Sequence, residues 1–194
     1  MNALKHKLLT IGTVLLIGIS FMASVHVAHA DKQINAGQYT TDIQTLQKIF
    51  TAKNEGFNLS EITVENDHDF KTKPVYKMEG FNHQQTQERE MKIAATDIHK
   101  TLKNKSEHIS RDERKHLVAI NLNDVKKQPD EAIKAAQKYA GTKNNPSEWQ
   151  LKAKKRNNQV TTYYQVTFVA KHRETTVTVD ATTGDKIKIT TEHD

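Results

Sequence analysis

Few residues in this chain have the type and spacing to do chemistry. The most specific group is the run Asp180-Ala181-Thr182-Thr183-Gly184-Asp185. An aspartate with a glycine four residues on can hold a cation or close a hairpin. In the hairpin its carboxylate accepts the N–H groups that follow, and the glycine takes a positive φ. The hairpin is the expected role of Asp180 and Gly184. Asp67-His68-Asp69 has cation-ligand types but too few of them, and reads as a solvated loop. Lys152, Lys154, Lys155 and Arg156 crowd four cations onto one strand end. They are the candidate contact for a protein partner or a polyanion, although a solvated outer face is the plainer reading of them.

Other chemistry is not indicated. The chain has no cysteine, which removes disulfides, thiolate metal sites and cysteine nucleophiles. Its 10 histidines are scattered, with no His-Glu-x-x-His pair. No serine lies in a nucleophile-elbow context. The expectation is therefore no catalytic residue, no metal and no cofactor: a protein that is not an enzyme.

The 194 residues are 27% charged and 36% hydrophobic. Apolar content that modest makes a thin core, which suits small domains of helix on sheet. Residues 1–30 are a different material. Lys5 and Lys7 precede an uncharged apolar run from Leu8 to Val25, and Ala28-His29-Ala30 follows. This is the pattern of a cleavable signal peptide, with an uncleaved membrane anchor as the alternative. The expected location is secreted, or on the extracytoplasmic face of a cell envelope. Net charge is +6, and +4 without Lys5 and Lys7, because residues 1–30 carry no acid. Outside a cell, mild positive charge attracts anionic wall polymers and lipid head groups weakly. Nucleic acid is not an expected partner, since export and core use of the aromatics both argue against it.

Residues 31–39 read as a loose leader. Thr40-Thr41-Asp42 supplies helix caps, and Ile43, Leu46, Ile49 and Phe50 follow at helical spacing, ending near Gly56. Alternating residues then mark three strands, with Ile62 and Val64, Tyr76 and Met78, and Met91 and Ile93 facing inward. Residues 40–102 make the first module and 103–127 a charged linker. Residues 128–194 make the second. Its helix starts at Pro129, with Asp130 and Glu131 in the first turn, and ends at Gly141. Trp149 and Leu151, then Tyr164, Val166 and Phe168, then Val177 and Val179, then Ile187 and Ile189 carry four strands.

The halves repeat. Ser60-Glu61-Ile62 matches Ser147-Glu148-Trp149, Tyr76-Lys77-Met78 matches Tyr164-Gln165-Val166, and Met91-Lys92-Ile93 matches Val177-Thr178-Val179. In the same alignment Ile43–Phe50 matches Ala132–Tyr139.

The second half resembles the PepSY domain. The likeness rests on Glu131-Ala132-Ile133-Lys134-Ala135-Ala136, on Tyr164-Gln165-Val166, and on Val177-Thr178-Val179-Asp180-Ala181-Thr182-Thr183-Gly184. The first half is similar but has Ala94 in place of Asp180, and Ile98 near the place of Gly184. The resemblance implies an α+β, cystatin-like fold: two tandem modules, each one helix on an antiparallel sheet of three to four strands. It also implies a non-catalytic binding module whose partner is a protein, a secreted or cell-surface peptidase in particular. A structural or adaptor protein bound to anionic wall polymers or a membrane surface is the second reading.

Overall fold

The computed structural model describes residues 34–67 and 73–193. The signal peptide expected at residues 1–30 lies outside them, as do His68 and Asp69. No helix among the described residues is long and apolar enough to cross a membrane.

Two helices, α1 (Ile43–Lys53) and α2 (Pro129–Ala140), accompany eight strands. The strands are β1 (Phe57–Asp67), β2 (Lys73–Asn82), β3 (Gln87–Ala94), β4 (Asp97–His108), β5 (Glu148–Arg156), β6 (Gln159–Ala170), β7 (Arg173–Asp180) and β8 (Lys186–His193). The α+β class holds, with a helix and four antiparallel strands in each half. The two halves share one sheet, ordered β4-β3-β2-β1-β5-β6-β7-β8. They join where β1 meets β5 antiparallel, over Glu61–Val64 and Trp149–Lys152.

Equivalent strands of the two halves pair in matching register. Ile62 pairs with Met78 and Tyr76 with Ile93. Their counterparts Trp149 with Val166, and Tyr164 with Val179, pair in the same way. Thr63 and Gln150 occupy equivalent positions and face each other across the join. The join is therefore a local two-fold axis perpendicular to the sheet.

The helices need a different alignment from the one their apolar stripes suggest. α1 buries Ile43, Leu46 and Phe50, and α2 buries Pro129, Ala132 and Ala136 at the same spacing, plus Ile133. The N-caps, Asp42 and Gln128, then coincide. Tyrosines on equivalent strands pin equivalent points: the Tyr76 hydroxyl donates to Thr41 Oγ1 at 2.8 Å, and the Tyr164 hydroxyl to the Lys127 carbonyl at 2.8 Å. Matching Ile43–Phe50 with Ala132–Tyr139 is thus off by about one turn. An alanine-rich helix offers apolar residues on several faces, so periodicity alone does not set its phase.

In the corrected alignment, Phe50 corresponds to Ala136 and Gly80 to Phe168. Each half places one aromatic in the gap between helix and sheet, but from opposite layers. A Cβ on Gly80 would lie 2.5 Å from the Asn58 carbonyl oxygen and 2.7 Å from Phe50 Cζ. Volume at this point of the core is conserved although its source changes.

Two expectations need correction. Residues 34–39 are not loose: Ala36 is fully buried and its N–H donates to the Pro146 carbonyl at 2.9 Å. The segment expected as linker starts as strand, since β4 runs to His108. The rest of the connection docks rather than spans. Ile109, Ile120 and Val125 are buried, and the Ile120 N–H donates to the Leu59 carbonyl at 2.8 Å.

Gly80→Ala should destabilise the fold by roughly 1–3 kcal/mol, the usual cost of overpacking. Urea unfolding measures this as a lower midpoint at unchanged slope.

Candidate functional site

The helices cover one face of the sheet, so four features remain for contact: the closing turn, the open face, the β5–β6 hairpin and the sheet edges.

The Asp180–Asp185 turn has the expected geometry. Asp180 Oδ1 accepts the N–H groups of Thr182 at 2.8 Å and Thr183 at 3.0 Å. The Gly184 N–H donates to the Asp180 carbonyl at 2.9 Å, with Gly184 at φ +80°. Its wider role was not legible in the sequence. The Ala181 carbonyl accepts the N–H groups of Lys126 and Lys127 at 3.0 and 2.9 Å, and the Thr182 hydroxyl donates to the Asp124 carbonyl at 2.6 Å. The turn therefore anchors the chain as it enters α2. Asp180 Oδ1, the Asp180 and Ala181 carbonyls and the Thr182 hydroxyl are all engaged within the fold.

The open face carries interleaved charges. Lys77 pairs with Glu79 at 2.7 Å, Lys103 with Glu90 at 2.7 Å, and Lys152 with Glu61 at 3.2 Å. Lys92 pairs with Asp67 and reaches Glu65 at 3.8 Å. Asp67 is thus tied to a lysine of β3. Among the described residues, no group of three or more His, Asp or Glu could hold a metal ion.

Residues 116–118 of the connection overhang this face. They enclose a cleft of about 220 Å³ with Ser60, Glu61, Glu79, Glu88, Lys152 and Ala153. Burial pushes the Glu88 carboxyl up to about 7, helped by Glu79, Glu107 and Glu113. At the join, burial with Glu65 nearby raises Glu148 to about 7. Neither residue stands in a sequence motif, because the carboxylates that perturb them come from other elements.

The four basic residues singled out by sequence are placed differently. Lys152 is held by Glu61, whereas Lys154, Lys155 and Arg156 are exposed. Lys154 Nζ lies 5.3 Å from the Tyr163 ring centroid. β1 pairs with β5 only through Lys152, and β7 pairs with β6 only from Tyr163. Residues 154–160 therefore form a two-stranded finger beyond the paired stretches of β1 and β7, while Ala153 lines the cleft and the buried Thr162 still accepts the Ala181 N–H at 3.0 Å. Asn157 and Asn158 close it at φ +50° and +63°, the geometry of a tight type I′ turn. Residues 154–160 are exposed throughout, Val160 included at 38%. The finger carries three cations and no acid. Its reach depends on where pairing with the flanking strands stops, which alternation does not reveal.

This arrangement defines a helix-on-sheet module built twice on one sheet, with a basic finger at the join. Residues 126–190 match the PepSY family, the peptidase propeptide and YPEB domain. The match covers 65 of the 194 residues, from the end of the connection into β8. A crystal structure from Clostridium difficile 630, described as a candidate lipoprotein, is similar with a TM-score of 0.65 at 23% identity, over 84% of this chain and 100% of that chain. At that identity the likeness concerns the fold. Its span exceeds the PepSY match, so it takes in the first half too. No curated protein matches the chain.

Gly184→Val should lower the melting temperature by several degrees, since a branched residue at positive φ costs on the order of 1–3 kcal/mol. A Cβ there meets nothing closer than Lys127 Cε at 3.6 Å, so the loss reports backbone strain and not a clash. Glu148 binds its proton more tightly folded than unfolded, so it favours folding below its unfolded value of about 4.5 and loses that contribution as pH rises to about 7. Glu148→Gln should therefore flatten the stability profile over that window and be more stable than the parent above it, by thermal unfolding across pH.

Proposed function

We propose that this chain is a non-catalytic, extracytoplasmic binding module that presents its β5–β6 finger to a protein partner, a secreted or cell-surface peptidase first among them. The observation that carries this reading is the finger itself, a hairpin that extends past its pairing with β1 and β7 and is exposed from Lys154 to Val160. Such a projecting shape suits insertion into a partner's cleft. The PepSY match, whose description includes peptidase propeptides, supports the class of partner. The apolar run at residues 8–25 and the described lipoprotein character of the similar structure support the location.

A second reading rests on charge. Lys154, Lys155 and Arg156 are adjacent and exposed, and the segment from Trp149 to Arg173 contains no acid. These features suit an adaptor that rests on anionic wall polymers or a lipid surface.

Salt separates the two. Chain from Asp31 onward is incubated with a panel of secreted metallopeptidases and, in parallel, with isolated cell wall, at low and high salt. A complex that survives high salt and lowers peptidase activity supports the first reading; wall retention that vanishes with salt supports the second. Lys154→Glu, Lys155→Glu and Arg156→Glu combined should abolish the interaction in either arm. Unchanged binding by that variant would exclude the finger. Unchanged activity across the panel would exclude the peptidase.

A further inference from the structure

The two ends of the sheet are built differently. β4 is blunted against pairing: it carries Lys100, Lys103 and Lys105 and is interrupted by register shifts opposite Lys92, Ile93 and Ala94. β8 pairs with β7 without a break from Lys188 to His193, and its outer side is the edge of the sheet. It also displays Ile187 and Ile189, which are 40% and 37% exposed. An open, regular, partly apolar edge is a template for another strand.

The charges on β8 identify that strand. Lys188 pairs with Thr178 and Glu192 with Glu174, while Ile189 and Thr191 pair with Val177 and Thr175. Lys188, Thr190 and Glu192 therefore share the open face, and Ile189 and Thr191 share the helix face. When a strand pairs antiparallel with its own copy about an axis perpendicular to the sheet, opposed residues must lie on the same face. Centred on Thr190, that rule places Lys188 opposite Glu192 twice, and Ile189 opposite Thr191 twice. Centring one residue earlier would set Lys188 against Thr190 and lose both charge pairs. Glu192 also stands beside Glu174 within the sheet.

We propose that β8 pairs with β8 of a second copy of this chain, antiparallel and centred on Thr190. The molecule already uses the same device internally, where β1 meets β5 about Thr63 and Gln150. That join spans four residue pairs, whereas the dimer ladder from Lys188 to Glu192 spans five. The helices of both copies would lie on one side of the joined sheet. The bulge between Thr178 and Val179 adds twist at this edge, so the joined sheet turns instead of running flat. The finger is on other strands and stays free, so the dimer would present two.

Sedimentation velocity over a wide concentration range tests this, on chain from Asp31 onward. The expected result is a monomer–dimer equilibrium. Lys188→Glu and Glu192→Lys, each alone, should raise the dissociation constant roughly tenfold, because two equivalent pairs are lost at once. The double exchange, Lys188→Glu with Glu192→Lys, should restore it. Thermal melts confirm that the variants fold, as both positions are exposed. A chain that stays monomeric at the highest concentration overturns the proposal. So does a dimer indifferent to the single changes, or one that the double exchange fails to restore.

Discussion

The structure depends on one antiparallel contact, the pairing of β1 with β5. Each half alone is a helix on a four-stranded sheet with too little apolar residue to bury it well. The join merges the two thin cores. Trp149 sits there with no exposure, its ring edge-on to Tyr76 and to Tyr164, each centroid 6.2 Å away. The tyrosines belong to different halves and each pins the start of its own helix, so a single indole ties both anchors together. Its Nε1–H donates to the Tyr39 carbonyl at 2.9 Å, which explains why the segment before α1 is packed. On the open face the same join holds Glu61 against Lys152 and half-buries Glu148, so it carries an electrostatic cost along with its hydrophobic gain.

The like plan of the two halves narrows which residues are available for function. Positions shared by the halves serve the core or the helix starts. Function must therefore lie where the halves differ. The finger of β5 and β6 differs in charge, the Asp180 turn has an aspartate that its counterpart lacks, and β8 differs from β4 in its edge. The turn spends its difference on holding the connection against α2. The finger and the β8 edge are left facing outward, one at the side of the join and one at the far end of the sheet.

Strand identity and inward faces were legible because each strand is wet on one side, and a period of two survives in Ile62 and Val64, Tyr164 and Val166, Val177 and Val179. The Asp180–Gly184 turn was legible because its chemistry is local. The phase of α2 was not, since alanines at 132, 135, 136 and 140 blur its stripe and the deciding contact comes from Tyr164, far along the chain. β4 was not, since an edge strand needs little apolar content. The cleft beside Glu88 was not, since its walls come from β1, β2, β3, β5 and the connection.

Sequence alone determined the helix-on-sheet module, its repetition, the PepSY likeness and the closing turn, because all of these rest on local periodicity or on bonds between near neighbours. The tertiary structure decided that the two sheets are one, that the connection and the residues before α1 pack, and that Lys152 is bound while Lys154, Lys155 and Arg156 project. Those outcomes depend on which strands pair and where each pairing stops, a matter of long-range register that no single stretch of sequence carries.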